Sequence, residues 1–122
     1  NAGSESFRPQ KNSIDLCFTS PPYFDTEVYA EEPTQSCIKY PTKDTWFNDF
    51  LKDTLSNCHY SLKSGKFCLI NIANTKKVPD MVERTVMTAE HVGFGHADTW
   101  QYALSSSTTA GFKNEPILVF RK

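Results

Sequence analysis

The residues of this chain that could do chemistry together are Ser20, Pro21, Pro22 and Tyr23, which follow the apolar run of residues 14–19. Each proline holds φ at about −65° and lacks a backbone donor, and each forces the residue before it into an extended conformation. The prolines therefore predict a rigid loop whose carbonyl oxygens have no strand partner. Such a loop suits a planar group that carries an NH2, because the Ser20 hydroxyl and a proline carbonyl can accept its hydrogens while the Tyr23 ring stacks on its plane. A plain Pro-Pro turn after a strand is the structural alternative.

The segment of residues 15–23, DLCFTSPPY, resembles motif IV of the S-adenosylmethionine-dependent amino-methyltransferases, which reads (Asp/Asn/Ser)-Pro-Pro-(Tyr/Phe/Trp). These enzymes methylate exocyclic amines, mostly N4 of cytosine or N6 of adenine in DNA. The resemblance implies S-adenosylmethionine as the cofactor and DNA as the partner, with the target base flipped out of the duplex or already single-stranded. It also implies that Ser20, Pro21, Pro22 and Tyr23 are the catalytic residues.

The resemblance gives the side chains of this motif separate roles. An aromatic amine has its lone pair delocalised into the ring, and accepting hydrogen bonds from both N–H groups makes that lone pair available. The Ser20 hydroxyl and the Pro21 carbonyl are the candidate acceptors, and fixed dipoles of this kind need no reorganisation in the transition state. Tyr23 would stack on the base, and Ser20 is also the candidate contact to the cofactor. Serine at the first motif position resembles the N4-cytosine group more than the N6-adenine group.

Two further residues, Phe24 and Asn71, are candidates for substrate binding. Phe24 follows the motif and could line the base pocket, although it is equally suited to the core. Asn71 lies near the end of a second predicted strand, and ligands of open α/β sheets bind at the carboxyl ends of the strands. Asn71 is equally suited to capping that strand end.

The elements that would position these residues alternate between strands and helices. The buried-type strand of residues 14–19 precedes a long predicted loop, residues 20–43. A helix of residues 44–62 then carries apolar side chains at three- and four-residue spacing, and Ser64-Gly65 is predicted to end it. The remaining predicted elements are a strand at 66–72, a helix at 79–92 with Pro79 in its first turn, a strand at 96–104, a polar loop at 105–114 and a strand at 116–121.

The order β-α-β-α-β-β defines the predicted fold class, which is α/β. Alternation predicts a parallel sheet with right-handed crossovers, and the last two strands need an antiparallel pairing because no helix separates them. This order resembles the second half of the class I methyltransferase (Rossmann-like) sheet, whose last strand is antiparallel. We expect residues 1–13 to be an irregular lead-in that begins with a tag remnant, and residues 14–122 to be a partial methyltransferase catalytic domain.

The cofactor motif that the resemblance implies, Phe-x-Gly-x-Gly after the first strand of the fold, does not occur in this sequence. Gly93-Phe94-Gly95 has Gly-x-Gly spacing, but it follows a predicted helix and precedes a strand, the wrong order for a cofactor loop. A missing first half of the same enzyme is therefore a candidate partner. A non-catalytic or split-enzyme interaction module is the main alternative. A methyltransferase of RNA or of a protein amide is a further alternative, which Ser20 disfavours because those groups carry Asn or Asp before Pro-Pro.

Composition sets bounds on the remaining function classes. The 122 residues include 13 basic and 14 acidic side chains, so the chain has no global positive field to attract nucleic acid. No apolar run approaches membrane-spanning length. The four cysteines, at positions 17, 37, 58 and 68, show neither a C-x-x-C motif nor zinc-ligand spacing. We expect buried reduced thiols, no metal, no membrane partner and a cytoplasmic location.

Overall fold

The computed structural model of the chain describes residues 3–21, 40–104 and 113–122. Within these ranges the strands form one sheet in the order β1-β2-β4-β3. The strands are β1 (Ile14–Thr19), β2 (Leu62–Asn71), β3 (Gly95–Leu104) and β4 (Lys113–Arg121). The helical segments are α1 (Lys43–Thr45), the π-helical segment π1 (Trp46–Leu51), α2 (Lys52–Ser61) and α3 (Met81–Val92).

The pairing of the strands confirms the predicted topology. β1 and β2 are adjacent and parallel, and the helical stretch of residues 43–61 connects them. β4 runs antiparallel to both of its neighbours, β2 and β3. Because β1 and β2 run in the same direction, their carboxyl ends lie at the same edge of the sheet, where the Pro-Pro motif begins.

Residues 43–61 form one continuous helical stretch whose middle is π-helical. The Thr42 hydroxyl caps its start by accepting from the Thr45 N–H at 3.1 Å, and the Thr42 N–H donates to the Thr45 hydroxyl at 3.2 Å. A π-helix hydrogen-bonds over five residues, which widens the turn. The side chains that π1 buries are Trp46, Phe47, Phe50 and Leu51. The aromatic stripe that the sequence predicts is therefore part of the core.

This stretch ends at Ser61, so the prediction that Ser64-Gly65 ends it is wrong. Leu62 is fully buried and pairs with Ile14, and the chain enters β2 directly after the helix. Gly65 has a φ of 79°, which glycine adopts without the strain that a Cβ would cause. Its N–H donates to the Lys122 carbonyl at 2.9 Å. The glycine thus forms an irregularity within β2, and β2 begins earlier than the predicted residue 66.

The helix α3 begins at Met81, so the prediction that Pro79 lies in its first turn is wrong. Asp80 is the N-cap residue, but its side chain makes no capping bond. The Asn74 side-chain oxygen accepts instead from the Val82 N–H at 2.8 Å, which satisfies one of the free donors at the helix start. The side chains that α3 buries are Met81, Thr85 and Ala89, and Val82, Val86 and Val92 pack partly buried against the same core.

The strands β3 and β4 form a long antiparallel ladder, which runs from the Gly95–Arg121 pair to the Leu104–Lys113 pair. β4 therefore begins before residue 116, and the prediction of a loop at 113–114 is wrong, because the length of β3 extends the pairing. The rest of that predicted loop, residues 105–112, lies outside the described residues, as do residues 22–39 of the predicted loop after β1.

The core lies between the helices and one face of the sheet. The strand residues on that face are Cys68, Ile70, Leu118 and Phe120, all fully buried. Trp46 and Leu55 from the first helical stretch and Met81 from α3 pack in the same cluster. Among the described residues, no helix has both the length and the apolar character that crossing a bilayer requires.

Candidate active site

The structure brings two of the predicted site residues to one edge of the sheet. Ser20 directly follows β1, and Asn71 is the last residue of β2. Thr19 pairs with Ile70 in the parallel ladder, so the next pair in this register is Ser20 with Asn71. Both residues lie at the carboxyl ends of their strands, which is where open α/β sheets bind ligands.

The first two residues of the motif differ in burial. Ser20 is exposed, whereas Pro21 is buried. A buried proline fixes the backbone next to the serine, because its ring restricts φ and its packing restricts movement. The Ser20 hydroxyl is thus accessible at a fixed position. Pro22, Tyr23 and Phe24 lie outside the described residues, so their roles stay predictions.

Asn71 is half-buried, and its side chain has a backbone partner. Its Nδ2 donates to the Pro116 carbonyl at 3.4 Å, and the Ile72 N–H donates to the same oxygen at 3.3 Å. These two bonds attach the end of β2 to the neighbouring strand β4. The bond from the Asn71 side chain supports its role in capping the strand end, one of the two roles that the sequence leaves open. A contact between Asn71 and substrate stays a prediction.

The lead-in of residues 3–13 packs along α2, which the sequence did not predict. Ser4 and Thr54 share a hydrogen bond of 3.0 Å between their hydroxyls. The Arg8 Nε donates to the Asn57 side-chain oxygen at 3.0 Å, and the Arg8 guanidinium lies 4.3 Å from the centre of the Tyr60 ring. These contacts join residues about fifty positions apart, and no local pattern in a sequence signals pairs of that kind.

A cavity of about 350 Å³ lies between this lead-in, β1 and α2. Its wall includes Phe7 from the lead-in, Cys58 from α2, and Leu16, Phe18 and Thr19 from β1. Thr19 is the residue before Ser20, so one end of the cavity reaches the candidate site. Because no further described strand lies beside β1, the cavity follows the outer edge of the sheet.

The cysteines near this cavity are unsuited to nucleophilic chemistry. A hydrogen bond with Cys58, together with burial, raises the pKa of the Cys17 thiol. For Cys58, the hydrogen bond with Cys17 lowers the pKa, but the hydrogen bond with Cys68 and burial outweigh it and raise the pKa to about 12. Thiols are nucleophilic as thiolates, so these two stay protonated and inert. Cys17, Cys58 and Cys68 form no disulfide, and Cys37 lies outside the described residues.

The described part of the chain also gives no indication of a metal-binding site. No group of three or more His, Cys, Asp or Glu side chains with the geometry of a metal site occurs within residues 3–21, 40–104 and 113–122.

The glycines of Gly93-Phe94-Gly95 have structural roles. Gly93 ends α3 with a φ of 121°, and its N–H donates to the Ala89 and Glu90 carbonyls. A Cβ at Gly93 would lie 3.2 Å from the His59 imidazole, and Phe94 is buried. The space beside Gly93 is therefore filled by the His59 side chain, which fits the prediction of a helix end rather than a cofactor loop.

Comparison with known proteins gives matches at the level of structure. The sequence matches no protein-family model and no curated protein sequence. A candidate DNA modification methylase of Thermus thermophilus superposes with a TM-score of 0.70 at 17% identity, over 99% of this chain and 50% of that chain. A structure of the Thermus protein in complex with S-adenosyl-L-methionine superposes with a TM-score of 0.64 at 18% identity, over 99% of this chain and 54% of that chain. A SAM-dependent methyltransferase of Methanosarcina mazei superposes with a TM-score of 0.58 at 8% identity, over 98% of this chain and 64% of that chain.

The chain has a partial Rossmann-like fold. Nearly all of it aligns with these structures, and the predicted fold class is thereby confirmed. The chain spans about half the length of the Thermus chains that it matches.

Proposed function

We propose that this chain is the part of an S-adenosylmethionine-dependent amino-methyltransferase that holds the target amine, and that the substrate is DNA. The observation that carries the proposal is the position of Ser20 and Pro21. An exposed hydroxyl and a buried proline directly follow β1, at the carboxyl edge of the parallel pair, in a fold that the chain shares with a methylase solved with S-adenosyl-L-methionine.

The chemistry assigned to these residues is the preparation of an amine for methylation. S-adenosylmethionine, when bound, supplies an electrophilic methyl group on a sulfonium sulfur. The Ser20 hydroxyl oxygen and the Pro21 carbonyl accept hydrogen bonds from the two N–H groups of the amine, which directs the lone pair toward that methyl group. Ser20 and Pro21 would hold the amine for this displacement, in which the nitrogen gains the methyl group and the sulfur keeps the electron pair of the bond that breaks. The proton that the nitrogen loses would pass to water, because Ser20 is exposed. Orientation of the two reactants supplies much of the rate enhancement in such a displacement.

The described residues are better suited to bind the target amine than to bind the cofactor. Ser20 is the described residue that we assign as a contact to the methyl donor. In the one Gly-x-Gly segment of the sequence, Gly93 lies against the His59 imidazole and Phe94 is buried in the core. We therefore assign the remaining cofactor contacts to polypeptide outside the described residues, and we call the chain together with that polypeptide the assembled enzyme.

Within this proposal, N4 of cytosine is favoured over N6 of adenine as the methylated atom. The basis is Ser20, because serine at the first motif position resembles the N4-cytosine group. The base reaches the Ser20 hydroxyl only when it is flipped out of the duplex or single-stranded, and Tyr23 is assigned to stack on it.

The test is product analysis with the assembled enzyme and S-adenosylmethionine that carries a tritiated methyl group. Two DNA duplexes of equal length are compared, one with cytosine and one with adenine as the abundant amine base, and the nucleosides are separated after digestion. The proposal predicts tritium in N4-methylcytosine. Label in N6-methyladenine would overturn the base preference alone. Label in RNA or protein but not in DNA, or no transfer by an enzyme that binds the cofactor, would overturn the proposed function.

A further inference from the structure

The strands β3 and β4 extend past the end of β2. β2 ends at Asn71, whose partner on β4 is Ile117. The pairing of β3 with β4 continues beyond this point for four more residue pairs, between residues 101–104 and residues 113–116. At the usual rise per residue of a strand, this two-stranded ribbon projects about 13 Å past the end of β2. We call the ribbon formed by these two ranges the β3–β4 arm.

The β3–β4 arm projects from the edge of the sheet that bears Ser20. β4 runs antiparallel to β2, so the residues of β4 that precede Ile117 lie beyond the carboxyl end of β2. Ser20 lies at the same edge, because it follows β1, which is parallel to β2. Neighbouring strands are about 4.8 Å apart. The order β1-β2-β4-β3 therefore offsets the two strands of the arm by about 10 and 14 Å from Ser20 along this edge.

Hydrogen bonds attach the base of the arm to the end of β2. The Pro116 carbonyl accepts from the Asn71 side chain at 3.4 Å and from the Ile72 N–H at 3.3 Å. Asn71 is in turn the register neighbour of Ser20, because Ile70 pairs with Thr19. The arm thus begins at a fixed position relative to the candidate site.

The arm projects away from the packed part of the molecule. No residue of the arm belongs to the described core, and the buried residues of β4, 118–120, lie where the strand pairs with β2. In the arm, Gln101 is exposed, and Glu115 and Pro116 are half-buried. A two-stranded ribbon on its own is only marginally stable in water. A ribbon of this kind at a ligand-binding edge is therefore suited to contact the ligand.

The dimensions and chemistry of the arm suit the major groove of DNA. That groove is about 12 Å wide and admits a two-stranded β-ribbon, whereas the minor groove is about 6 Å wide and distinguishes little more than A·T from G·C. An amide side chain can both donate to and accept from a base edge, and glutamine forms paired hydrogen bonds with N6 and N7 of adenine. Gln101 is an exposed amide side chain of the arm.

We propose that the β3–β4 arm enters the major groove beside the flipped base, and that Gln101 contacts a base edge there. The arm is then a determinant of the DNA sequence that is methylated. This inference rests on the proposed function, because it takes DNA as the substrate. Successive bases are about 3.4 Å apart along the duplex, so the offset between Ser20 and the arm corresponds to about three to four base pairs.

The experiment combines footprinting with methylation rates, both for the assembled enzyme on duplexes that differ by one base pair near the target cytosine. Dimethyl sulfate reports on the two grooves separately, because guanine N7 lies in the major groove and adenine N3 in the minor groove. The variant is Gln101→Ala, with Gln10→Ala as the matched control. Gln10 is also exposed, but it precedes β1 and so lies toward the opposite end of that strand from Ser20.

We expect the unaltered enzyme and Gln10→Ala to protect guanine N7 within about four base pairs of the target, on one side of it. At one of these positions, both should methylate the preferred duplex at least about tenfold faster than the others. Gln101→Ala should lose that preference with an unchanged melting temperature. Gln101→Asn, whose shorter side chain moves the amide away from the base, is the second variant if Gln101→Ala does not fold.

Three results would overturn the inference and leave the proposed function intact, provided that the enzyme methylates DNA. They are protection of adenine N3 without guanine N7, protection only farther from the target than the arm extends, and an unchanged sequence preference in Gln101→Ala. Methyl transfer to RNA or protein but not to DNA would refute the proposed function, and the inference with it.

Discussion

In the site that we propose, Ser20 and Pro21 have separate roles. The proline is buried and fixes the backbone, and the serine before it presents an exposed hydroxyl. Thiol chemistry is assigned no role beside them, because the nearby Cys17 and Cys58 are held protonated. No metal is assigned a role either, since the described residues contain no group of side chains suited to hold one. The site that we propose acts through oriented acceptors, which is sufficient when the methyl donor is already electrophilic.

The lowered pKa of His59 predicts how the stability of the fold depends on pH. Burial lowers the pKa of His59 below 6.5, the positive charge of Lys122 lowers it further, and a hydrogen bond with the Gly93 backbone opposes them. A histidine with a lowered pKa in the folded state binds fewer protons there than in the unfolded chain, so stability falls as pH drops below about 6.5.

Thermal melts between about pH 7.5 and 5.5 check this prediction. We expect the midpoint of the unaltered chain to decrease with falling pH more steeply than that of His59→Gln. The control is His91→Gln, at an exposed position in the last turn of α3. Parallel curves for the unaltered chain and His59→Gln would show that His59 does not cause the dependence.

At the scale of elements, hydrophobic periodicity predicted the order of strands and helices. The apolar runs at 14–19 and 66–72 were predicted as strands, because a buried parallel strand is a continuous apolar run. They lie in β1 and β2, which pair in parallel. The boundaries were harder to predict where tertiary contacts decide them. Gly65 reads locally as a helix end, yet the pairing of Leu62 with Ile14 places it within β2.

The backbone conformation of Gly65 predicts how a substitution within β2 changes stability. Its φ of 79° is strained for any residue with a Cβ, so Gly65→Ala should lower the free energy of unfolding by about 1–2 kcal/mol. Space is available there, since the nearest atom to the added Cβ would be an Arg121 nitrogen at 3.5 Å. Urea denaturation measures the change.

The matched control is Gly95→Ala at the start of β3. A Cβ at Gly95 would lie 3.9 Å from the Arg121 carbonyl, an ordinary contact, and Gly95 has no positive φ. We expect a change of less than about 0.5 kcal/mol there. Equal effects of the two substitutions would mean that the left-handed conformation of Gly65 is not what matters.

The site was less predictable than the fold. Ser20 and Asn71 were recognisable as candidates because each stands at the end of an apolar strand. The pairing of Thr19 with Ile70 places both at the same edge of the sheet. The packing of the lead-in on α2 was not predictable, since the Arg8–Asn57 and Ser4–Thr54 contacts join distant positions without a local pattern. The cavity beside β1 depends on that packing, so it was missed as well.

For the whole molecule, we expect the isolated chain of 122 residues to bind S-adenosylmethionine weakly or not at all. The reason is that the cofactor contacts other than Ser20 are assigned to polypeptide outside the described residues. Isothermal titration calorimetry measures the affinity. A dissociation constant at or below about 1 µM, which corresponds to about 8 kcal/mol, would show that this chain contains a complete cofactor site.

In the proposed site, Ser20 holds the amine that receives the methyl group. The most direct test measures methyl transfer to DNA by the assembled enzyme with Ser20→Ala, beside Ser64→Ala as the control. Ser64 is also an exposed serine, but it lies near the start of strand β2, toward the opposite end of the sheet.

Loss of one oriented hydrogen bond in the transition state predicts that Ser20→Ala lowers the rate by about 10- to 1000-fold, with an unchanged melting temperature because the hydroxyl is exposed. Ser64→Ala should retain the full rate. If Ser20→Ala methylates DNA as fast as the unaltered enzyme, Ser20 does not hold the amine and the account of this site is wrong.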